Sequence, residues 1–430
     1  METSNLKKSQ AVSPWVILAL LAIALLISYI DRTSLSSALA DKNFVKEFGL
    51  TSVDRGYLNS AFFWSYGLLH LGMGWVVDRY GVKWPYAVCF TLWCLATALT
   101  GLVSTLAALL GMRLLIGAAE AIVIPASYRW IGNNFDESQK GFAVGLLTAG
   151  GKLGPAIGAP IAAWFIVTYS WQAMFLVTGA VGLVWLVPWL LLAKNDFPSK
   201  DQLSNAKHNA GSVKFSNLLS SPVVWGGMIN NFCYGYFIFY CMTWMPAYLV
   251  EQRGLSLTQS GLYTFFSFSG IAIVGTFSGW AADRIIARGN DAVLVRKSFV
   301  VAGFIGATTV MLGAYAETLQ MALFWNVLSL SLLGLVTANN TTLCKLTLIP
   351  KPAIGLNAGL QQTAGSLAGG VSAGLSGWLL HVGGSYTLPM MAILFFLIVG
   401  ATNTVIMLRR KWAPKLDGPA ALASVAAPVP

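Results

Sequence analysis

The chain has 430 residues, 56% of them in the hydrophobic set and only 10% Asp, Glu, Lys or Arg, against about 25% charged in an ordinary soluble domain. That balance excludes a water-soluble globular protein, and the formal charge of +11 bears on function only through where the basic residues lie. With 16 Trp and 43 Gly, the composition fits helices crossing a bilayer, where Gly is tolerated and Trp collects near the interfaces.

A helix needs roughly 20 apolar residues to cross the hydrocarbon. In chain order such stretches cover residues 14 to 38, 56 to 77, 85 to 103, 106 to 133, 141 to 165, 170 to 193, 221 to 250, 258 to 282, 298 to 315, 320 to 349, 354 to 380 and 384 to 408. The first is followed by no A-x-A type site and reads as a span, not a cleavable signal peptide. Twelve spans predict an all-α integral membrane protein made of two six-helix bundles, residues 1 to 193 and 221 to 430, the second with a cytoplasmic tail. The stretch 194 to 220, rich in Lys, Asp, Ser and Asn, reads as a cytoplasmic linker between them. With the N-terminus cytoplasmic, 18 basic residues fall in inner segments and four, Lys42, Lys46, Arg55 and Arg253, in outer ones. That asymmetry puts both termini in the cytoplasm, in a chain expected to work as a monomer in the inner (plasma) membrane, with lipid and not nucleic acid around it.

The tract from Gly74 through Asp78 and Arg79 recurs from Gly279 through Asp283 and Arg284, each at the end of the second span of its half. Such an internal repeat suits a transporter with its site between the halves. Asp78, Arg79, Asp283 and Arg284 are the candidate gating residues. The halves are expected to close on one another there.

Covalent chemistry finds no support. Cys89, Cys94, Cys233, Cys241 and Cys344 fall in apolar stretches without a CxxC pair, and His70, His208 and His381 are far apart in sequence, so neither disulfides nor a metal site is expected. Gly150, Gly151, Lys152 and Leu153 resemble a phosphate loop but lack the Ser or Thr after Lys. No enzyme activity and no cofactor follow.

Within the spans remain five basic residues, Arg32, Arg113, Arg129, Lys152 and Lys345, and two acids, Asp31 and Glu120. An ionised side chain at mid-bilayer costs at least about 2.5 kcal/mol on an isolated helix, so the deeper ones should face each other or a watery cavity. The positive excess favours an anionic solute such as a carboxylate, which the planar Arg fork fits with two hydrogen bonds. Arg32, Lys152 and Arg129 are substrate-binding candidates, although Arg129 and Lys345 lie near the cytoplasm and could snorkel. Arg113 and Glu120, seven residues apart, share a helix face with about 10 Å between their backbones. They can bridge, or Asp31 can meet Arg113 across helices. A carboxylate whose protonation depends on its Arg partner is the minimum equipment for proton coupling; a permanent packing network of the three is the alternative. Among the many amides and hydroxyls in the spans, which seek internal partners, Tyr66, Tyr234, Asn339 and Gln361 are further binding candidates. The series Gly150, Gly154, Gly158 and the pair Gly365, Gly369 read as close helix packing.

These motifs resemble the major facilitator superfamily. More narrowly, Tyr29 to Arg32, then Arg113, Gly117, Glu120 and Pro125, then Ser170, Trp171, Phe175 and Gly179, then Trp244, Pro246, Tyr248, Leu249, Arg253 and Gly254 resemble the anion:cation symporter family of sugar-acid and organic-anion carriers. The resemblance implies that Asp31 and Glu120 are protonatable, that Arg113 modulates Glu120, that Arg32 and Tyr66 contact the anion, and that Asp78 and Asp283 each pair with a helix end, whose N-terminal dipole favours a carboxylate. A Gln expected in span five is replaced by Gly151 beside Lys152, and the family's ending after span four is altered to Asn134, Phe135, Asp136, Gln139 and Lys140. Both departures weaken the case for a polyhydroxylated substrate and raise that of a less hydroxylated or more highly charged carboxylate to equal standing. The leading expectation is a proton-coupled importer of a small organic anion working by alternating access. An exporter or exchanger of acidic metabolites is the rival within transport, and a non-transporting receptor or scaffold the rival outside it.

Overall fold

A computed structural model describes residues 13 to 194, 218 to 350 and 353 to 414. Most of the expected linker and the C-terminal tail, and the side chain of Lys345, lie outside the described residues. Every regular element described is helical. The first half comprises α1 (Pro14–Ala40), α2 (Lys42–Glu47), α3 (Ser52–Tyr80), α4 (Lys83–Thr100), α5 (Leu106–Glu120), α6 (Val123–Asn134), α7 (Glu137–Thr168), α8 (Trp171–Val184) and α9 (Leu186–Leu192). The second comprises α10 (Pro222–Thr243), α11 (Met245–Glu251), α12 (Leu257–Ala287), α13 (Ala292–Ala307), α14 (Val310–Tyr315), α15 (Leu319–Thr342), α16 (Ile354–Gly383) and α17 (Thr387–Met407).

Each of the twelve expected stretches falls on one long helix or on two stacked pieces. Among the described residues, eight such segments are long and apolar enough to cross a membrane. The exceptions, α3, α4, α10 and α16, owe this to their sequence: α3 carries Asp54, Arg55, His70, Asp78 and Arg79, α4 is short and starts at Lys83, and α10 and α16 hold Asn, Gln, Gly and Ser. Large apolar side chains such as Val181, Val184, Leu191 and Phe324 stand exposed, as a lipid-facing surface requires.

The ends follow local chemistry. Thr51 and Asp54 form a capping box, which starts α3 before the apolar run and brings Arg55 into its first turn. Thr105 accepts from the Ala108 amide and so opens α5 within the short connection after α4. Gly384, at φ 63°, closes α16 in the left-handed conformation Gly tolerates. α1 and α7 approach so closely that a Cβ at Gly150, Gly154 or Gly158 would collide with Ala22, Tyr29 or Ile30 and Thr33. The Gly series is helix packing, as its spacing suggested.

Among the described residues, the two halves meet from the middle, where Gly67 of α3 packs on Ser366 of α16, to one end. There Gly56 of α3 packs on the backbone of Ala373 to Gly377, and Gly261 of α12 on Ala159 and Pro160 of α7. Arg55 Nη1 lies 2.7 Å from Glu251 Oε1 across the halves, and the Tyr386 hydroxyl donates to Glu251 Oε2 at 2.6 Å. At the opposite end, where Asp78 and Asp283 lie, Gly72, Gly74, Gly141, Gly145 and Gly359 have no foreign atom near their Cβ positions. One end is sealed and the other splayed. Glu251→Gln is expected to raise several-fold the rate at which an impermeant maleimide labels Asn59→Cys, one turn inside Arg55, when the five native cysteines are replaced. Exchanging the charges, Arg55→Glu with Glu251→Arg, should restore slow labelling. An unchanged rate in the folded single variant would rule out this pair as a closure.

Candidate functional site

The centre of the first half holds a buried ion pair that differs from both pairings open in the sequence. Arg32 of α1 donates through Nε at 3.0 Å and Nη2 at 2.8 Å to Glu120 Oε2, and Ser28, one turn earlier on α1, donates to the same oxygen at 2.7 Å. Glu120 is fully buried, and its Oε1 has no partner. It is the last residue of α5, where the helix breaks before restarting as α6. The Arg32 guanidinium also stands 4.5, 4.6 and 4.9 Å from the ring centres of Tyr29, Phe62 and Tyr66, an aromatic box suited to a cation.

Arg113 is also buried, yet its Nε and Nη2 have no hydrogen-bond partner and it forms no ion pair among the described residues. Two turns along one helix is too far for it to reach Glu120, and Arg32 arrives from the facing helix instead. Arg113 remains within electrostatic reach of Glu120 and Asp31 and shares a gap of about 10 Å³ with Arg32 and Asn59, room for about one water. Asp31, on the neighbouring face of α1, accepts from Trp93 Nε1 at 3.1 Å. Ser28 and Trp93 are partners that sequence reasoning missed. Ser28 was signalled by its i, i+4 spacing to Arg32; Trp93, in an apolar run, by nothing.

Arg32 is also part of the wall of a cavity of about 290 Å³ between the halves. α1, α3, α6 and α7 supply Tyr29, Arg32, Phe63, Tyr66, Tyr128, Thr148 and Lys152; α10, α12, α15 and α16 supply Asn231, Tyr234, Phe239, Phe268, Thr341, Gln362 and Ser366. Two cations and no carboxylate line it. A larger hollow of about 510 Å³ lies at the surface by α2 and α8. No basic side chain lines it, Asp41 caps α2, and Glu47 accepts from Trp171. The smaller, central cavity is the candidate site.

Of the residues expected to bind substrate, Arg32, Tyr66, Lys152 and Tyr234 line this cavity, Tyr234 with its hydroxyl 3.0 Å from Thr337. Three others, Gln361, Asn339 and Arg129, do not line it. Gln361 donates to the carbonyl of Cys344, as does Asn357, in the π turn Leu343–Thr347; its neighbour Gln362 faces the cavity instead. Asn339 accepts from Arg296 at 3.3 Å and donates to its own helix. Arg129 donates to Asp78 Oδ1 and the Val77 carbonyl, both at 2.7 Å.

The repeated tracts are likewise engaged inside their own halves. Asp78 pairs with Arg129, and Asp283 with Arg296 at 2.5 Å, so each Asp meets a guanidinium where a helix end was expected. Arg79 lies over Trp75 and Tyr80, and Arg284 over Trp280, at centroid distances of 5.7 to 5.9 Å.

A family model described as Major Facilitator Superfamily matches residues 21–373. The chain is 27% identical to the D-galactonate transporter of Escherichia coli O6:H1 over 91% of its own length and 95% of that protein. It is 29% identical to the probable sulfoacetate transporter of Cupriavidus necator, over 90% and 92%. Among solved structures, a bacterial homolog of the human lysosomal transporter Spinster, in an inward-facing and unoccupied conformation, aligns with a TM-score of 0.74 at 15% identity, over 94% of this chain and 99% of that one.

Proposed function

Because this chain belongs to the Major Facilitator Superfamily and is therefore a secondary transporter, we propose that it carries a small organic anion together with a proton by alternating access. On this reading the twelve helical segments all span the inner membrane, in two six-helix bundles at residues 1 to 193 and 221 to 430, joined by a cytoplasmic linker, and the monomer is the working unit. The splayed end carrying Asp78 and Asp283 faces the cytoplasm, and the end sealed by Arg55 and Glu251 faces out.

The observation that carries the reading is the Arg32–Glu120 pair at the edge of a cavity whose charged lining residues are both cations. A guanidinium held by a carboxylate cannot also hold a solute carboxylate with its full fork. Protonating Glu120 releases Arg32 toward the cavity; losing the proton re-forms the pair and weakens the solute's hold. Coupling of this kind is reciprocal, so a bound anion also raises the affinity for the proton. Asp31 acts with Glu120 as the second protonatable group, and Arg113, near both, modulates them. Related carriers named for galactonate and sulfoacetate, both organic anions, support the solute class.

A thermal-shift panel on purified protein tests the solute class. A ligand that binds only the folded state stabilises it by about 2.7 kcal/mol at a hundred times its Kd. Small carboxylates should raise Tm and matched neutral sugars should not. Stabilisation by neutral or cationic solutes alone would overturn the anion reading.

A further inference from the structure

The two cations of the cavity are in different circumstances. Arg32 is held by Glu120, whereas Lys152 makes no hydrogen bond or ion pair among the described residues. An ammonium in the wall of a membrane-embedded cavity, without a counter-charge, is costly to keep, and no residue lining the cavity supplies one. The two line the same cavity, and the backbone beside Lys152, at Gly151, abuts the Tyr29 ring over which the Arg32 guanidinium stands. The wall hydroxyls of Thr148, Thr341 and Ser366 each donate to a carbonyl of their own helix, so they offer a hydroxyl-rich solute few protons. At about 290 Å³ the cavity is at the lower end of the roughly 300 to 1,000 Å³ of small-molecule pockets, which suits a compact solute.

We propose that the cavity selects a small dianion of the dicarboxylate class, with one carboxylate on Lys152 and the other on Arg32 once Glu120 releases it. This rests on the organic-anion reading above and adds a division of labour. Lys152 is available to an anion whatever the state of Glu120, so it holds the first carboxylate and sets specificity. Arg32 is available only when Glu120 is neutral, so the second carboxylate is the one whose binding is linked to the proton.

Calorimetric titration at pH 7 compares diacids with their monoamides, which keep size and shape and lose one charge: succinate, glutarate, adipate and phthalate against succinamate, glutaramate, adipamate and phthalamate. A charge-assisted hydrogen bond contributes enough for at least one diacid to bind about tenfold or more tightly than its monoamide. Lys152→Gln should weaken that diacid about tenfold or more and its monoamide far less, while Lys152→Arg keeps most of the preference. Equal binding of diacid and monoamide by the unmodified protein overturns the inference without any variant, and so does equal weakening of both by Lys152→Gln. If only hydroxylated monoacids such as gluconate bind, the dianion inference fails while the organic-anion reading stands. If no anion binds, both fail.

Discussion

Glu120→Gln is expected to abolish accumulation driven by a pH gradient while leaving counterflow exchange measurable. At zero membrane potential, one coupled proton makes each pH unit worth about 1.4 kcal/mol, or about tenfold in accumulation. In the Gln variant the ratio should fall to about one. The outcome follows from the proposed coupling. Glu120 Oε2 takes both guanidinium bonds of Arg32 and the Ser28 hydroxyl, and a neutral amide of the same size retains the contact without the charge that recaptures Arg32. The carrier then rests in its anion-accepting form and exchanges solute for solute. Asp31→Asn, which removes the carboxylate accepting from Trp93, should impair the same driven step. Wild-type accumulation by both folded variants would assign the proton elsewhere.

Arg32→Gln should weaken anion binding about a hundredfold or more and abolish transport in both the driven and the exchange assay. It removes one bidentate partner from the solute and leaves Glu120 buried without its cation. Breaking a buried pair from one side costs about 3 to 5 kcal/mol, so a lower Tm should accompany the loss. Arg32→Lys separates the two effects: it keeps the charge beside Glu120 but not the planar fork, and should recover much of the stability and little of the affinity. Binding within threefold of wild type in the Gln variant, measured by titration, would remove Arg32 from the site.

The helices were legible because a bilayer imposes a length and a composition on each: every expected stretch coincides with helix, and eight segments among the described residues are long and apolar enough to cross a membrane. The breaks after Glu120 and at Trp244 left no mark in hydropathy, since apolar residues continue through both. The identity of the charged site residues was legible too, because ionisable groups in spans are conspicuous. Their pairing was not, since it depends on the rotation of α1 against α5, and a linear pattern holds no such information. Adjacent Gln361 and Gln362 show the limit most sharply. About 100° of helix separates them, and the rotation of α16, which sets Gln361 against the Cys344 carbonyl and Gln362 against the cavity, is not written in the linear pattern. Asp78 and Asp283 were found by their repeat, while their partners Arg129 and Arg296 lie on elements whose packing the repeat does not encode.

The central claim is that an organic anion and a proton cross together through the Arg32–Glu120 site. Purified protein in proteoliposomes, given a carboxylate selected by the thermal-shift panel and an outer medium held weakly buffered, tests it most directly. Solute entry should alkalinise the outer medium in a fixed ratio to uptake, and both fluxes should vanish together in Arg32→Gln. Uptake at the same rate without any proton movement, in vesicles shown to be proton-tight, would contradict it.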